Sequence, residues 1–229
     1  MTRVSVVIPT LNEALRISSC LAQFDNLPGN WDLIVADGGS TDDTVRLAES
    51  HGARVVAGPS GRGPQQNIGA AHAEGEVLLF LHADVFLPVD ACAQIEALLT
   101  DPSVIAGAFR VRHQAERWRS TWKRHLLRVA DWRSRYTRRP YGDQGIFLRK
   151  TDFEAAGGFP SWPLMEEVHL ARDLARQGTI RVLRSEVQVS GRRFEAGLIR
   201  AFLCMNTFPL LDRWGVSPRL LSLLYGHPR

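Results

Sequence analysis

Cysteine is scarce in this chain, which limits the chemistry that the sequence can support. Cys20, Cys92 and Cys204 are the only cysteines among 229 residues, and no two of them form a CxxC pair. Thiolate zinc sites need closely spaced cysteines, and disulfide frameworks need them in pairs. The sequence therefore excludes a thiolate zinc site and fits a reducing, cytoplasmic compartment.

Long apolar runs are missing as well. The run that follows Arg3 is too short for a signal-peptide core or a membrane span, and no later uncharged stretch reaches the roughly 20 residues that a span needs. We therefore expect no membrane span. Fixed repeats and low-complexity tracts are also absent, and the composition is ordinary for a globular protein, so one α/β domain over residues 1–229 is expected.

Two phosphate-binding patterns are absent, namely GxGxxG and GxxxxGK[ST]. Gly61 and Gly63 lie in a stretch rich in glycine and proline that is better read as a plain loop. The turn after the first predicted strand contains no glycine, which argues against a dehydrogenase. It also contains no lysine, which makes a nucleotidyltransferase a weaker alternative.

Short apolar segments alternate with helical patterns along the first half of the chain. The run from Val77 to His82 has five strongly apolar residues in six, the pattern of a strand buried on both faces. Such strands form mostly parallel sheets covered by helices, joined by right-handed crossovers. The predicted fold is α/β with a mostly parallel central sheet flanked by helices. The predicted strands are Val4–Ile8, Trp31–Ala36, Arg54–Ala57, Val77–His82, Val104–Val111 and Ile146–Arg149.

Polar residues follow several of these strands at the point where each strand ends. Thr10, Asp37 and Asp84 would then meet at one edge of the sheet, where ligands bind in open α/β folds. His82 and Asp84 would point to the same side if the chain stayed extended. An equally good account is that Asp84 only opens a turn, since aspartate is common in turns. Ser40 and Asp43 have the spacing of a helix-capping pair.

Positive charge is concentrated between Arg110 and Arg139, where eleven Lys/Arg face only two acids. Residues 114–136 have a helical pattern with three tryptophans. This segment is either a helix packed on its own core with a solvated basic face or a helix lying on an anionic membrane surface. Glu166 and Glu167 open a later predicted helix, a position that the helix dipole favours whatever else they do.

Several motifs occur together in the order found in a known family. They are Ser5–Glu13 (SVVIPTLNE), Ala36–Asp42 (ADGGSTD), Asn67–Gly69 with Gly75 and Glu76, Leu81–Asp84 (LHAD), and the Glu166–Glu167 pair. In this respect the chain resembles family 2 glycosyltransferases with the GT-A fold. Tyr141–Gly145, Met165–Glu167 and Ser190–Phe194 further resemble a subgroup of small bacterial members without a membrane span.

The resemblance implies an enzyme of the hexosyltransferase type with a Rossmann-like nucleotide-binding half, residues 1–112, and an acceptor-side half, residues 113–229. It would transfer a sugar, with inversion, from a nucleotide-diphosphate sugar to an acceptor hydroxyl. A UDP-sugar is the favoured donor, the acceptor can be lipid-linked, and nucleic acid is not an expected partner. With the basic helix, the protein could be peripheral on the inner face of the plasma membrane.

The resemblance also implies roles for individual residues. Glu167 would be the catalytic base with Glu166 beside it, and Asp84 with His82 would hold a divalent cation, Mn²⁺ or Mg²⁺. The expected diphosphate contacts are Arg192 and Arg193, and the expected acceptor contacts are Gly142, Asp143 and Gln144. The expected nucleotide contacts are Pro9, Thr10, Leu11, Glu13, Asp37, Asn67, His82 and Ala83.

Two departures from the family pattern keep an alternative open. His82 replaces the first aspartate of the DxD motif, so it could favour Mn²⁺ or simply contact the ribose. Glu167 stands where aspartate is usual and adds a methylene of reach. The alternative is a non-catalytic protein of the same fold that binds sugar nucleotides or docks on membranes. The two retained acids, Glu166 and Glu167, argue against it.

Overall fold

The computed structural model describes residues 1–114, 131, 140–190, 204 and 207–225. Its centre is an eight-stranded sheet, whose strands are β1 (Arg3–Thr10), β2 (Asn30–Asp37), β3 (Arg54–Ala57), β4 (Val77–Phe80), β5 (Val85–Phe86), β6 (Val104–Gln114), β7 (Ile146–Arg149) and β8 (Thr179–Ser190). Their order across the sheet is β3-β2-β1-β4-β7-β6-β8-β5.

The first four strands of this order form a parallel unit, as predicted. β1 pairs in parallel with both β2 and β4, and β2 pairs in parallel with β3. Beyond β4 the sheet is mixed, because β7 runs antiparallel to both β4 and β6, whereas β8 is parallel to β6 and antiparallel to β5. The α/β prediction is confirmed, with antiparallel pairing in the second half.

Helices cover both faces of the sheet. They are α1 (Ala14–Ala22), α2 (Thr44–Ser50), α3 (Arg62–Ala71), α4 (Ala91–Leu99), α5 (Lys150–Ala155), α6 (Glu166–Leu174) and α7 (Pro218–Tyr225). Successive residues of β1 alternate between two cores, with Val6 facing α1, α2 and α4, and Val7 facing α3, α5 and α6. A strand apolar at nearly every position is therefore buried on both faces.

A third, smaller apolar cluster lies on the outer side of α6. Leu164, Met165 and Val168 pack there against Phe208 and Leu221. Residues 207–213 are helical and α7 follows after a turn, so residues 207–225, here called the C-terminal hairpin, cover this side of α6. No helix in the described part of the chain is long and apolar enough to cross a membrane.

Three sequence predictions about local structure need correction. β4 ends at Phe80, and the Val85 amide donates to the His82 carbonyl at 3.1 Å, so residues 82–85 form a turn and not an extended strand end. α3 begins at Arg62, three residues before the predicted Gln65. Gln114 lies in β6 and not in a helix, whereas nearly all of the predicted basic helix falls outside the described residues.

Candidate functional site

The carboxyl ends of β1 and β2 form the first part of the site. Asp37, at the end of β2, is buried and accepts hydrogen bonds from the Gly39 amide at 2.9 Å and the Ser40 amide at 2.8 Å. Its other oxygen accepts from the hydroxyls of Thr10 and Ser40. The predicted capping pair is wrong, because Ser40 bonds to Asp37 and Asp43 pairs with Arg46. Asp37 fixes the turn that follows β2.

The loops after β1 and β2 are joined to each other. Asn12 has a φ of 56°, and its side-chain oxygen accepts from the Thr41 amide at 2.8 Å. The Asn12 amide donates to the Ser40 hydroxyl, and the Glu13 amide donates to the Thr44 hydroxyl. Pro9, Leu11 and Glu13 are half-buried in this arrangement. The two loops therefore form one braced surface at the sheet edge.

Gln65 is a buried residue of this edge that the sequence analysis missed. Its side-chain nitrogen donates to the carbonyls of Thr10 at 2.6 Å and Ala36 at 2.8 Å, and its oxygen accepts from the Gly61 amide. The predicted Asn67 instead bonds through both amide atoms to the Phe159 backbone. Residues two apart on a helix point to different sides, so both cannot face the same loops.

The acidic pair, Glu166 and Glu167, forms the second part of the site at the start of α6. Both carboxylates are buried, and Met165 precedes them in the left-handed region with a φ of 69°. The Arg62 Nε atom lies 2.8 Å from Glu166 Oε1, and His82 Nε2 lies 3.7 Å from Glu167 Oε1, too far for a hydrogen bond. No sequence pattern singles out Arg62, because it lies in a stretch rich in glycine and proline.

The surroundings push the pKa values of the two acids apart. Burial and the charge of Glu167 raise the pKa of Glu166 to about 7. Burial acts in the same direction on Glu167, but Arg62 and His82 outweigh it and lower the pKa of Glu167 to about 2. Although the short ion pair joins Arg62 to Glu166, the charges of both Arg62 and His82 favour ionised Glu167. At neutral pH the pair thus combines an ionised Glu167 with a Glu166 that readily holds a proton.

A short loop brings the predicted acceptor residues to the acidic pair. A Cβ atom added to Gly142 would lie 2.2 Å from Glu167 Oε1 and 2.8 Å from His82 Nε2. The Gln144 side chain donates to the Phe109 carbonyl and accepts from the Tyr141 amide, so it holds the loop in place. Asp143 is half-buried beside it. Because Gly142 has no side chain, its backbone can approach both His82 and Glu167.

Several polar atoms here are buried and have no hydrogen-bond partner within the described part of the chain. They are His82 Nε2, Glu166 Oε2 and Glu167 Oε1 in the site, with both side-chain amide atoms of Gln66 one helical turn from Arg62. Unpaired buried polar atoms are rare in native proteins and call for an explanation such as a water or a ligand. The arrangement can receive the hydroxyl or amide groups of a bound molecule.

The predicted metal residues, Asp84 and His82, do not form a closed cage. The described residues contain no group of three or more His, Cys, Asp or Glu that could hold a metal ion. His82 faces Glu167, whereas Asp84 is half-buried near Cys20, whose pKa is raised to about 12 by burial and by the Asp84 charge. One carboxylate beyond a strand end fits a hard cation that takes most ligands from substrate phosphates and water. Arg192 and Arg193 lie outside the described residues.

A family model and several known proteins match parts of this sequence. The family model described as "Glycosyl transferase family 2" matches residues 5–157. An undecaprenyl-phosphate 4-deoxy-4-formamido-L-arabinose transferase of Klebsiella pneumoniae is 29% identical over 159 residues, covering 64% of this chain and 48% of that protein. A PGL/p-HBAD biosynthesis glycosyltransferase of Mycobacterium tuberculosis is 33% identical over 126 residues, covering 50% and 49%. The chain thus spans about half the length of these relatives.

Solved structures share the fold over nearly the whole chain. The mannosyltransferase PcManGT from Pyrobaculum calidifontis, in complex with GDP-Man and Mn²⁺, has a TM-score of 0.69 at 21% identity, covering 98% of this chain and 68% of that one. S. aureus TarS 1–349 in complex with UDP-GlcNAc has a TM-score of 0.65 at 16% identity, covering 97% and 70%. At such low identity the likeness shows the fold, which is the GT-A fold.

Proposed function

The chain belongs to glycosyl transferase family 2, and from that premise we propose that it transfers a sugar, with inversion at the anomeric carbon, from a nucleotide-diphosphate sugar to an acceptor hydroxyl. The observation that carries the proposal is the buried acidic pair, which Arg62, His82 and the Gly142 backbone surround. Buried acids with separated pKa values at a sheet edge are typical of a proton-transfer site.

The donor would lie on the braced loops after β1 and β2. These loops hold Pro9, Thr10, Leu11 and Glu13 in a fixed arrangement, which lowers the entropy lost on binding. Asp37 already accepts four hydrogen bonds from the chain, so a base would share that carboxylate with them. Ala83 and His82 follow β4 on the same edge. A UDP-sugar, of the hexosyl type, is the proposed donor because TarS binds UDP-GlcNAc.

Ionised Glu167 would act as the base. As the acceptor oxygen attacks the anomeric carbon, its proton passes to Glu167, and the bond from that carbon to the diphosphate breaks with its electron pair on the leaving nucleotide. Glu166 would hold a proton beside it, which limits repulsion between the two acids. A bound Mn²⁺ or Mg²⁺, held by Asp84 and substrate oxygens, would offset the charge of the diphosphate. Arg192 and Arg193 are proposed to contact the same diphosphate.

The acceptor would approach along the loop that contains Gly142 and Asp143, with Gln144 holding that loop. A lipid-linked acceptor is proposed because the Klebsiella relative is named for undecaprenyl phosphate. We further propose that the basic segment within residues 114–136 contacts an anionic membrane, which would place the protein at the inner face of the plasma membrane.

A donor screen followed by a turnover assay tests this function. Nucleotide sugars would be compared with Mn²⁺ for thermal stabilisation, since a ligand at 100 times its Kd adds about 2.7 kcal/mol. Stabilising donors would then be assayed for release of the nucleoside diphosphate, with water or an added alcohol as acceptor. Release supports the enzyme. If a donor stabilises the protein but no nucleoside diphosphate is released with any acceptor, the non-catalytic alternative is favoured. That alternative is motivated by His82 in the DxD position.

A further inference from the structure

The C-terminal hairpin carries apolar side chains on two opposite sides. The inner side is formed by Phe208 and Leu221, which are buried against Leu164, Met165 and Val168. The outer side exposes four large apolar residues, which are Leu210 at 53%, Trp214 at 78%, Leu220 at 50% and Leu223 at 76%. A helix that only covers a core would be polar on its outer side. The outer side of the hairpin therefore needs its own explanation.

The charges of this outer side have one sign. Arg213 and Arg219 are exposed beside the four apolar residues. The single acid in residues 207–225, Asp212, is buried and pairs with His169 and Arg172, at 2.8 Å in each case. Trp214 directly follows the helix of residues 207–213, and its amide donates to the Leu210 carbonyl at 3.0 Å. Because Leu210, Arg213 and Trp214 are spaced i, i+3 and i+4, they share one side of this segment. The outer side is thus apolar and cationic, with no exposed acid among residues 207–225.

The hairpin is tied closely to the candidate site. His169 and Arg172, which bind Asp212, lie on α6, the helix that begins with Glu166 and Glu167. Tyr141, next to Gly142, packs against the same apolar cluster as the hairpin. The hairpin therefore packs next to the proposed acceptor loop and the helix that begins with the acidic pair.

We propose that the C-terminal hairpin docks on an anionic lipid bilayer, with its four exposed apolar residues in the interface and Arg213 and Arg219 on the lipid phosphates. Helices that lie in an interface combine large apolar residues, tryptophan and cations in this way. A symmetric contact with a second copy would bring the same cationic surface against itself. The hairpin is a different part of the sequence from residues 114–136. Its use in presenting a lipid-linked acceptor rests on the proposed function.

Vesicle sedimentation with the full chain tests the docking. At low salt the chain should pellet with phosphatidylcholine vesicles containing phosphatidylglycerol and not with phosphatidylcholine alone. The triple variant Leu210→Ser, Trp214→Ser and Leu223→Ser should lose at least tenfold in partition. The matched control, Leu15→Ser with Val89→Ser, removes apolar side chains that are 92% and 67% exposed elsewhere and should bind like the parent.

A charge test uses a second pair of matched variants. Arg213→Glu with Arg219→Glu should lose at least tenfold and show a weaker salt dependence, because phosphate contacts are screened by salt. Arg46→Glu with Arg176→Glu changes arginines that are 69% and 72% exposed elsewhere and should have a smaller effect. A blue shift of tryptophan emission on adding anionic vesicles should be present in the parent and reduced in Trp214→Phe, a variant that keeps an aromatic ring.

Three results would overturn the proposal. The first is that the folded parent does not pellet with anionic vesicles, and the second is that the hairpin variants pellet as well as the parent. The third is that analytical ultracentrifugation shows a dimer of the parent and a monomer of the triple variant. The sedimentation assay needs neither donor nor turnover, so a failed docking leaves the proposed enzyme untouched. Conversely, docking without release of any nucleoside diphosphate would count against the enzyme alone.

Discussion

Two glutamates that are neighbours in the sequence have different surroundings in the site. Glu166 contacts Arg62 from α3, whereas Glu167 faces His82 and the Gly142 backbone. Two buried carboxylates this close cannot both ionise easily, so the nearby cations decide which one keeps the charge. The site thus contains one ionised carboxylate, Glu167, and one, Glu166, that limits repulsion by holding a proton.

Glutamine substitutions separate these two roles. Glu167→Gln should leave donor binding intact and lower turnover by about two to four powers of ten, the usual effect of losing a positioned base. Glu166→Gln should cost less, because an amide can replace a protonated carboxyl in shape. Turnover and donor affinity would be measured for both variants. A larger loss of turnover in Glu166→Gln would reverse the assignment.

The raised pKa of Glu166 predicts a pH-dependent stability. The unfolded chain releases this proton near the ordinary value of 4.5, whereas the folded chain keeps it up to about pH 7. Within that window the folded state binds more protons, so this group makes the parent less stable as pH rises. Glu166→Gln lacks the group, so its melting temperature relative to the parent should increase across the window. A constant difference in thermal scans would contradict the assignment.

A substitution at Gly142 tests whether the backbone of this loop lies close to the Glu167 carboxylate. Gly142→Ala would place a Cβ atom 2.2 Å from Glu167 Oε1, so the carboxylate must move. We expect a turnover loss of at least tenfold and a stability cost of about 1–3 kcal/mol for overpacking. Gly178→Ala is a matched control, because its Cβ atom would lie 3.1 Å from Ile105 in a part of the fold remote from the acids. Equal turnover in the parent and Gly142→Ala would argue against the close approach.

At the scale of elements, the sequence predicted the presence of strands more accurately than the residues at which the elements begin and end. β3 and β7 have the predicted limits, because β-branched and apolar runs between turn residues leave little choice. The end of β4 could not be predicted, since Leu81 is as apolar as the strand but the chain turns after it. The start of α3 was also missed, because Gly61 and Gly63 read as loop residues although Arg62 already begins the helix.

The candidate site was predictable only in part. The motifs led to Asp37, His82, Gly142, Glu166 and Glu167, and the structure brings the last four together. The sequence did not predict that Arg62 and Gln65 belong to the site, because their contacts join residues far apart in the chain. No local sequence pattern encodes such contacts. Asn67 was expected on the nucleotide side, but its amide is used by the Phe159 backbone.

At the scale of the whole molecule, β4 connects two differently built parts of one sheet. On one side it pairs in parallel with β1, and on the other it pairs antiparallel with β7. The residues after β4, including His82, therefore lie between the braced loops and the Gly142 loop. This position explains how one sheet can bring the proposed donor-binding loops and the acidic pair to the same side of the molecule.

Dependence on a divalent cation is the prediction for the assembled site. Binding of a nucleoside diphosphate to the parent should weaken at least tenfold when EDTA is added. In Asp84→Asn, EDTA should have much less effect, because Asp84 is the carboxylate proposed to bind the cation. Asp90→Asn, an exposed aspartate before α4, is the control. Calorimetry that gives equal affinity with and without EDTA in the parent would exclude the metal assignment.

The two margins of the sheet have a consequence for self-association. The outermost strands are β3, with four residues from Arg54 to Ala57, and β5, with two residues, Val85 and Phe86. An exposed strand edge can recruit another chain through its unpaired backbone groups, and short edges offer few of them. Arg54 adds a charge at the start of β3, where its ion pair with Asp32 holds it at 2.9 Å. Among the described strands, however, β5 pairs with only Gln188 and Val189 of the 12-residue β8. The two short outermost strands therefore offer few such groups, and the rest of the outer edge of β8 is the longer template for a second copy.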